Sequence, residues 1–102
     1  MAVAEISIVP VGTLKTSISQ YVVEAVRILR DEKDIKYELT AMGTIIEGDT
    51  DRILALAGKI HKSAFDIGAK RVVTTIKIDE RRDKTQSMND KVAAVKNRLG
   101  QE

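Results

Sequence analysis

Cysteine is absent from this chain, and tryptophan with it. Without cysteine there are no disulfides, no thiolate metal sites and no thiol nucleophile, which fits a cytoplasmic protein. Histidine occurs once, as His61, so a site built on several imidazoles cannot form within one chain. No metal and no cofactor are expected. The aromatic residues are Tyr21, Tyr37 and Phe65. An RNA-reading sheet stacks bases on aromatics of its central strands, and this chain has none to place there. Apolar runs stay well short of the roughly 18 residues that a membrane span needs. The first residues, Met-Ala-Val-Ala-Glu, lack a basic region and meet an acid at Glu5, which argues against a secretion signal. Neither sign of charge dominates: 17 basic and 15 acidic residues are interspersed, giving a net charge of +2. That pattern carries no electrostatic footprint for nucleic acid. Neither a membrane nor a nucleic acid is expected as a partner.

What is present is periodicity. The 102 residues suffice for one domain with one core, spanning 1–102. Val3 to Pro10 alternates with period two, with Ala4, Ile6 and Ile8 on one side and Glu5, Ser7 and Val9 on the other. Pro10 ends this strand and Gly12 frees the turn. Ser17-Ile18-Ser19-Gln20 reads as a capping box, followed by a helix with a stripe of Ile18, Tyr21, Val22, Ala25, Ile28 and Leu29. Two short strands, 35–40 and 44–48, flank a turn at Ala41-Met42-Gly43. Asp49 or Thr50 caps a second helix with Ile53, Leu56, Ala57, Ile60, Ala64 and Ile67 inward, and Gly68 suits its C-terminal end. Arg71 to Asp79 is the longest strand signal. Its face Val72, Thr74, Ile76 and Ile78 opposes Val73, Thr75 and Lys77. A third helix starts at Ser87 with a capping pattern and carries a narrow stripe of Met88, Val92, Val95 and Leu99, which is expected to pack.

The order strand, helix, strand, strand, helix, strand is the ferredoxin-like βαββαβ pattern of the α+β class. Right-handed crossovers put both helices on one face of an antiparallel sheet of order 4-1-3-2, with an extra C-terminal helix. The other face has no helix of its own unless that C-terminal helix folds over it. Bearing Val3, Val9 and Val73, it invites a second subunit.

Seven segments then occur together: Val9-Pro10-Val11-Gly12-Thr13, Ser17-Ile18-Ser19, Tyr21-Val22, Met42-Gly43-Thr44, Ile46-Glu47-Gly48, Arg71-Val72 and Asp79-Glu80-Arg81-Arg82-Asp83-Lys84. In this order and spacing they resemble the thiamine-binding protein family, long catalogued as an uncharacterised protein family. The resemblance covers nearly the whole chain. It implies a ferredoxin-like domain that forms a homodimer or homotetramer. It implies binding of thiamine or a related pyrimidine such as hydroxymethylpyrimidine, without known catalysis. Relatives with two tandem domains bind thiamine within one chain; here the pairing would come from a second subunit.

The residues supply a chemistry for such a ligand. Glu5, Ser7, Thr75 and Lys77, with Glu38 and Thr40, are expected on the helix-free sheet face. An aminopyrimidine pairs with a carboxylate and a hydroxyl, and a thiazolium cation tolerates a nearby acid. The structural reading of the same residues is a Glu–Lys pair that fixes a subunit interface. Glu47, from the resemblance, anchors the ligand amine; read as plain structure it is a strand-end carboxylate. Ser17 and Ser19 are ligand candidates near the 10–17 loop, and capping alone also accounts for Ser17. Arg71, Arg81 and Arg82 are candidate anion-binding residues, or else partners of Asp79, Glu80 and Asp83. His61 reads as a helix-flank residue.

Catalysis finds no support in the sequence. There is no Gly-rich phosphate loop and no recognisable Ser/His/Asp set, and Val11-Gly12-Thr13-Leu14-Lys15 lacks the arginine of an acylphosphatase-type anion cradle. The chain is therefore expected not to be an enzyme. A second class, a regulatory module of the amino-acid-sensing kind acting through oligomerisation, shares the architecture and stays open.

Overall fold

The computed structural model describes residues 1–13, 18–85 and 87–101. Four strands and three helices follow one another: β1 (Ala2–Pro10), α1 (Ser19–Arg30), β2 (Lys36–Leu39), β3 (Thr44–Gly48), α2 (Thr50–Asp66), β4 (Val72–Glu80) and α3 (Met88–Leu99). The strands form one sheet in the order β2-β3-β1-β4, with every neighbouring pair antiparallel. This is the expected ferredoxin-like α+β topology with an added C-terminal helix.

The alternation in β1 sets the layers. Ala2, Ala4, Ile6 and Ile8 are buried under α1 and α2, where they meet Ile46 of β3. Tyr21, Ala25 and Leu29 come down from α1; Ile53, Leu56, Ala57, Ile60 and Ala64 come down from α2. These are the stripes that period 3.6 selects. Gly68 takes φ +110°, and the Ala69 N–H donates to the Ala64 carbonyl, closing α2 as the glycine signal implies.

Two local details differ from expectation, and a third lies outside the described residues. The Asp49 side chain sits at the N-cap of α2 but makes no capping bond there, and the Thr50 hydroxyl instead donates to the Glu80 carboxylate across the fold. The described N-cap residue of α1 is Ile18; the expected capping box involves Ser17, which lies outside the described residues. The largest difference is α3. Its stripe does not pack: Val92, Val95 and Leu99 are each more than half exposed. The helix is capped at Ser87, whose side chain accepts from the Asp90 N–H while Asp90 accepts in return from the Ser87 N–H. Its tie to the sheet is a charged one, from Lys91 to Asp79. A short amphipathic stripe with no facing surface among the described residues gains nothing by folding back, so the helix stands out.

Candidate functional site

The register settles which side chains share the helix-free face. Glu5 stands directly opposite Lys77, and Ser7 opposite Thr75. On the other side of β1, Val3 faces Glu47 and Glu5 faces Ile45, while Glu38 of β2 faces Ile45 and Lys36 faces Glu47. Side chains directly opposite each other point to one face, so Glu5, Ser7, Thr75, Lys77, Glu38 and Glu47 all belong to the side away from the helices. An open hollow of about 500 Å³ lies over part of this face, lined by Glu5, Ile45, Lys77, Asp79 and, from α3, Lys91.

Glu5 and Lys77 are cross-strand neighbours, yet no ion pair joins them. Gly43 gives the reason. A Cβ placed there would stand 3.2 Å from Glu5 Cγ and 3.5 Å from its Cδ, so the Glu5 side chain lies across the glycine, toward the β2–β3 turn. That turn is held by Thr40, whose hydroxyl donates to the Gly43 carbonyl at 2.7 Å and accepts from the Gly43 N–H at 3.2 Å. The Met42-Gly43-Thr44 segment is thus a platform under a carboxylate.

Glu47 is the one buried charged side chain among the described residues, 4% exposed. It lies beside Lys36, Lys33 and Met1 in a shallow hollow of about 190 Å³ and forms no ion pair with a described residue. The hollow is separate from that of Glu5 and Lys77. Ser19 opens α1 in an exposed position and does not join the sheet-face group; Ser17 lies outside the described residues.

The arginines divide. Arg81 engages Asp83 through two bonds of 2.5 and 2.8 Å, and Arg82 donates to Glu80 at 2.7 Å. The Arg81 guanidinium holds the Asp83 carboxyl below the usual carboxylate range. Glu80 is lowered as well, first by the Thr50 hydroxyl and then by Arg82. Asp79 pairs with Lys91 rather than with an arginine, and that ammonium lowers its carboxyl in the same way. Arg71 is exposed, and its carbonyl accepts from the Val11 N–H at 2.8 Å. His61 is structural: its Nδ1 lies 2.7 Å from Thr74 Oγ1, and its ring meets Phe65 edge-on at 5.5 Å.

One feature escaped sequence reasoning. A pocket of about 140 Å³ lies between the start of α1, the β2–β3 turn and the end of β1. It exists because β1 is nine residues long and β3 five, so β3 pairs with Ala2 to Ile6 and, among the described residues, leaves Ser7 to Pro10 without a strand partner on that side. The unequal strand lengths were readable in the sequence; the pocket they leave was not.

A family model described as "Thiamine-binding protein" matches residues 4–96. The chain belongs to the thiamine-binding protein family. It is 43% identical over 102 residues to the UPF0045 protein in the glkA 3′ region of Staphylococcus xylosus, covering 97% of this chain and 95% of that one. It is 41% identical to the UPF0045 protein YqgV of Bacillus subtilis, covering 97% and 98%. The crystal structure of the hypothetical protein MJ1052 of Methanocaldococcus jannaschii superposes with a TM-score of 0.84 at 40% identity, over 92% of this chain and 94% of that one. The span matched by the thiamine-binding family model includes every candidate binding residue from Glu5 to Arg82 and most of α3. The family's description gives it a small-molecule-binding role and names no catalytic activity. No described helix is long and apolar enough to cross a membrane.

Proposed function

We propose that this chain is a non-catalytic binding protein for thiamine or a related pyrimidine such as hydroxymethylpyrimidine. It acts in the cytoplasm as one ferredoxin-like domain, as a homodimer or homotetramer with the ligand held where subunits meet. The observation that carries the reading is the family match over residues 4–96. The chemistry of the helix-free face supports it. Glu5, Ser7, Thr75 and Lys77 are adjacent there, and the Glu5 carboxylate is not engaged by its cross-strand lysine. Glu47 adds a buried acid with no ion-pair partner among the described residues, a group that gains most from a donor or a cation. Arg71, not engaged in an ion pair among the described residues, stands as the remaining candidate for an anionic substituent.

A carboxylate accepting from a ligand amine contributes about 1.5–3 kcal/mol as a charge-assisted bond. Its removal weakens binding about tenfold or more. Calorimetry with thiamine and hydroxymethylpyrimidine checks this on the parent chain, Glu5→Gln and Glu47→Gln, each first verified as folded and assembled. The expected result is binding by the parent and a tenfold loss in at least one variant. No binding by the parent at millimolar concentration removes the ligand assignment. Binding of a free amino acid in place of both pyrimidines would point to the sensing module instead. Equal binding by parent and both variants leaves the ligand and removes these two carboxylates.

A further inference from the structure

We infer that the pocket at the open end of β1 seats a single amino-substituted heteroaromatic ring, reading it through the bare edge of the strand. The inference rests on the pyrimidine reading above and locates the ring of that ligand. Three observations lead to it. The first is size: the pocket measures about 140 Å³, close to the roughly 150 Å³ of an apolar cavity that takes up one benzene ring. It suits one ring and is tight for a fused pair. The second is the wall. Ile6 and Ile8 of β1, Val22 and Ala25 of α1 and Ile60 of α2 supply flat apolar surface for the faces of a ring.

The third is the edge. Ser7, Ile8 and Val9 line the same pocket, at positions that β3 does not reach. A strand edge offers N–H and C=O groups that need partners. A ring nitrogen beside an exocyclic amine presents an acceptor next to a donor, the pair that a neighbouring strand would present. An aminopyrimidine therefore completes the ladder where β3 stops, and Thr44 stands at the same pocket with a further hydroxyl. A plain hydrocarbon ring would fill the volume but leave the edge unpaired.

Gly43 ties this pocket to the sheet face. Gly43 lines the pocket, and the Glu5 side chain lies across that glycine. A cationic substituent on the ring would leave the pocket beside the Glu5 carboxylate. The ring seat and the sheet-face acid then serve two parts of one ligand.

The test uses the whole chain with methyl-labelled Ile and Val and hydroxymethylpyrimidine as the probe. Intermolecular nuclear Overhauser effects are measured from the 2-methyl group of the probe. The inference expects them at Ile6, Ile8, Val22 and Ile60. Contacts at Val3, Ile45 and Val73 in their place would put the ring on the open sheet face and overturn it, with the pyrimidine reading intact. Val22→Phe fills the pocket, and its affinity for the probe is expected to fall at least tenfold while Glu5 and Lys77 are untouched. Parent-like affinity in a folded Val22→Phe chain overturns the inference. If that variant fails to fold, the contact pattern of the parent decides alone. No binding of the probe or of thiamine to the parent removes the functional reading, and the ring seat with it.

Discussion

A Cβ at Gly48 would stand 2.9 Å from the Ile35 Cγ2 methyl and 3.6 Å from the Asp34 carbonyl. That methyl sits directly on a branched β-carbon and has little freedom to turn aside. Gly48 is therefore a packing residue, even though it stands beside the buried Glu47. Gly48→Ala is expected to destabilise the fold by about 1–3 kcal/mol, the usual range for overpacking. A urea titration checks this as a lower midpoint with an unchanged slope. Gly43 faces a different constraint, a backbone carbonyl of Ile6 at 3.0 Å together with the Glu5 side chain. There a methyl group would displace a candidate ligand carboxylate, so its effect belongs to binding as well as to stability. Two glycines of the same family pattern thus do different work, and spacing alone does not separate them.

At the scale of the element, α3 is a helix held by its first turns. The Ser87–Asp90 capping box and the Lys91–Asp79 pair both act near its start, and no residue of the helix is buried. Ser87→Ala should cost the helix about 1 kcal/mol. Because α3 stands apart from the core, the loss should appear as fraying of α3 resonances and not as a lower global melting point. Acid should act in the same place. The Asp79 carboxyl lies below its ordinary value of 3.8, chiefly through its bond from Lys91, and Asp90 is lowered by the Ser87 N–H it accepts from. A carboxyl lowered in the folded state stabilises that state in its charged form. The contribution is complete above the unfolded value near 3.8 and is lost as pH falls through the folded value. Backbone chemical shifts of 88–99 followed from pH 6 to pH 2 should therefore hold steady to about pH 4 and then move toward coil. Shifts that change above pH 5 would mean that other groups hold the helix.

For the whole molecule, the extents of 49 × 30 × 20 Å and a radius of gyration of 15.3 Å describe a body drawn out along one axis. About 13 Å is usual for 100 compact residues. One sheet face carries no helix, Val9 and Val73 lie on it nearly half exposed, and the stripe of α3 is bare. Among the described residues of a single chain nothing covers these surfaces; in the proposed oligomer they would cover one another. Val95→Asp discriminates the two situations. Val95 is 60% exposed in one chain, so an isolated chain should lose no more than about 0.5 kcal/mol, as for ordinary surface changes. Sedimentation velocity is expected to show a dimer or tetramer for the parent and a smaller species for the variant, with unchanged far-ultraviolet circular dichroism. A parent that sediments as an 11.3 kDa monomer at micromolar concentration would remove the proposed assembly.

The chain's own periodicities determined the elements, their order and the two faces of the sheet. Alternation in Ala4, Ile6 and Ile8 and the 3.6-residue stripes of α1 and α2 are local properties, and burial of those stripes leaves few ways to stack the layers. The same alternation placed Glu5, Ser7, Thr75 and Lys77 on one side, because successive side chains of a strand must point opposite ways. Tertiary structure decided what periodicity cannot carry. Whether Glu5 meets Lys77 depends on the space above Gly43, a glycine nearly forty residues away in the chain. Whether the α3 stripe packs depends on a facing surface, which the described residues do not supply. The pocket at the end of β1 arises where a long strand outruns a short neighbour. Such a gap is a property of two strands in register, and it appears only once they are paired.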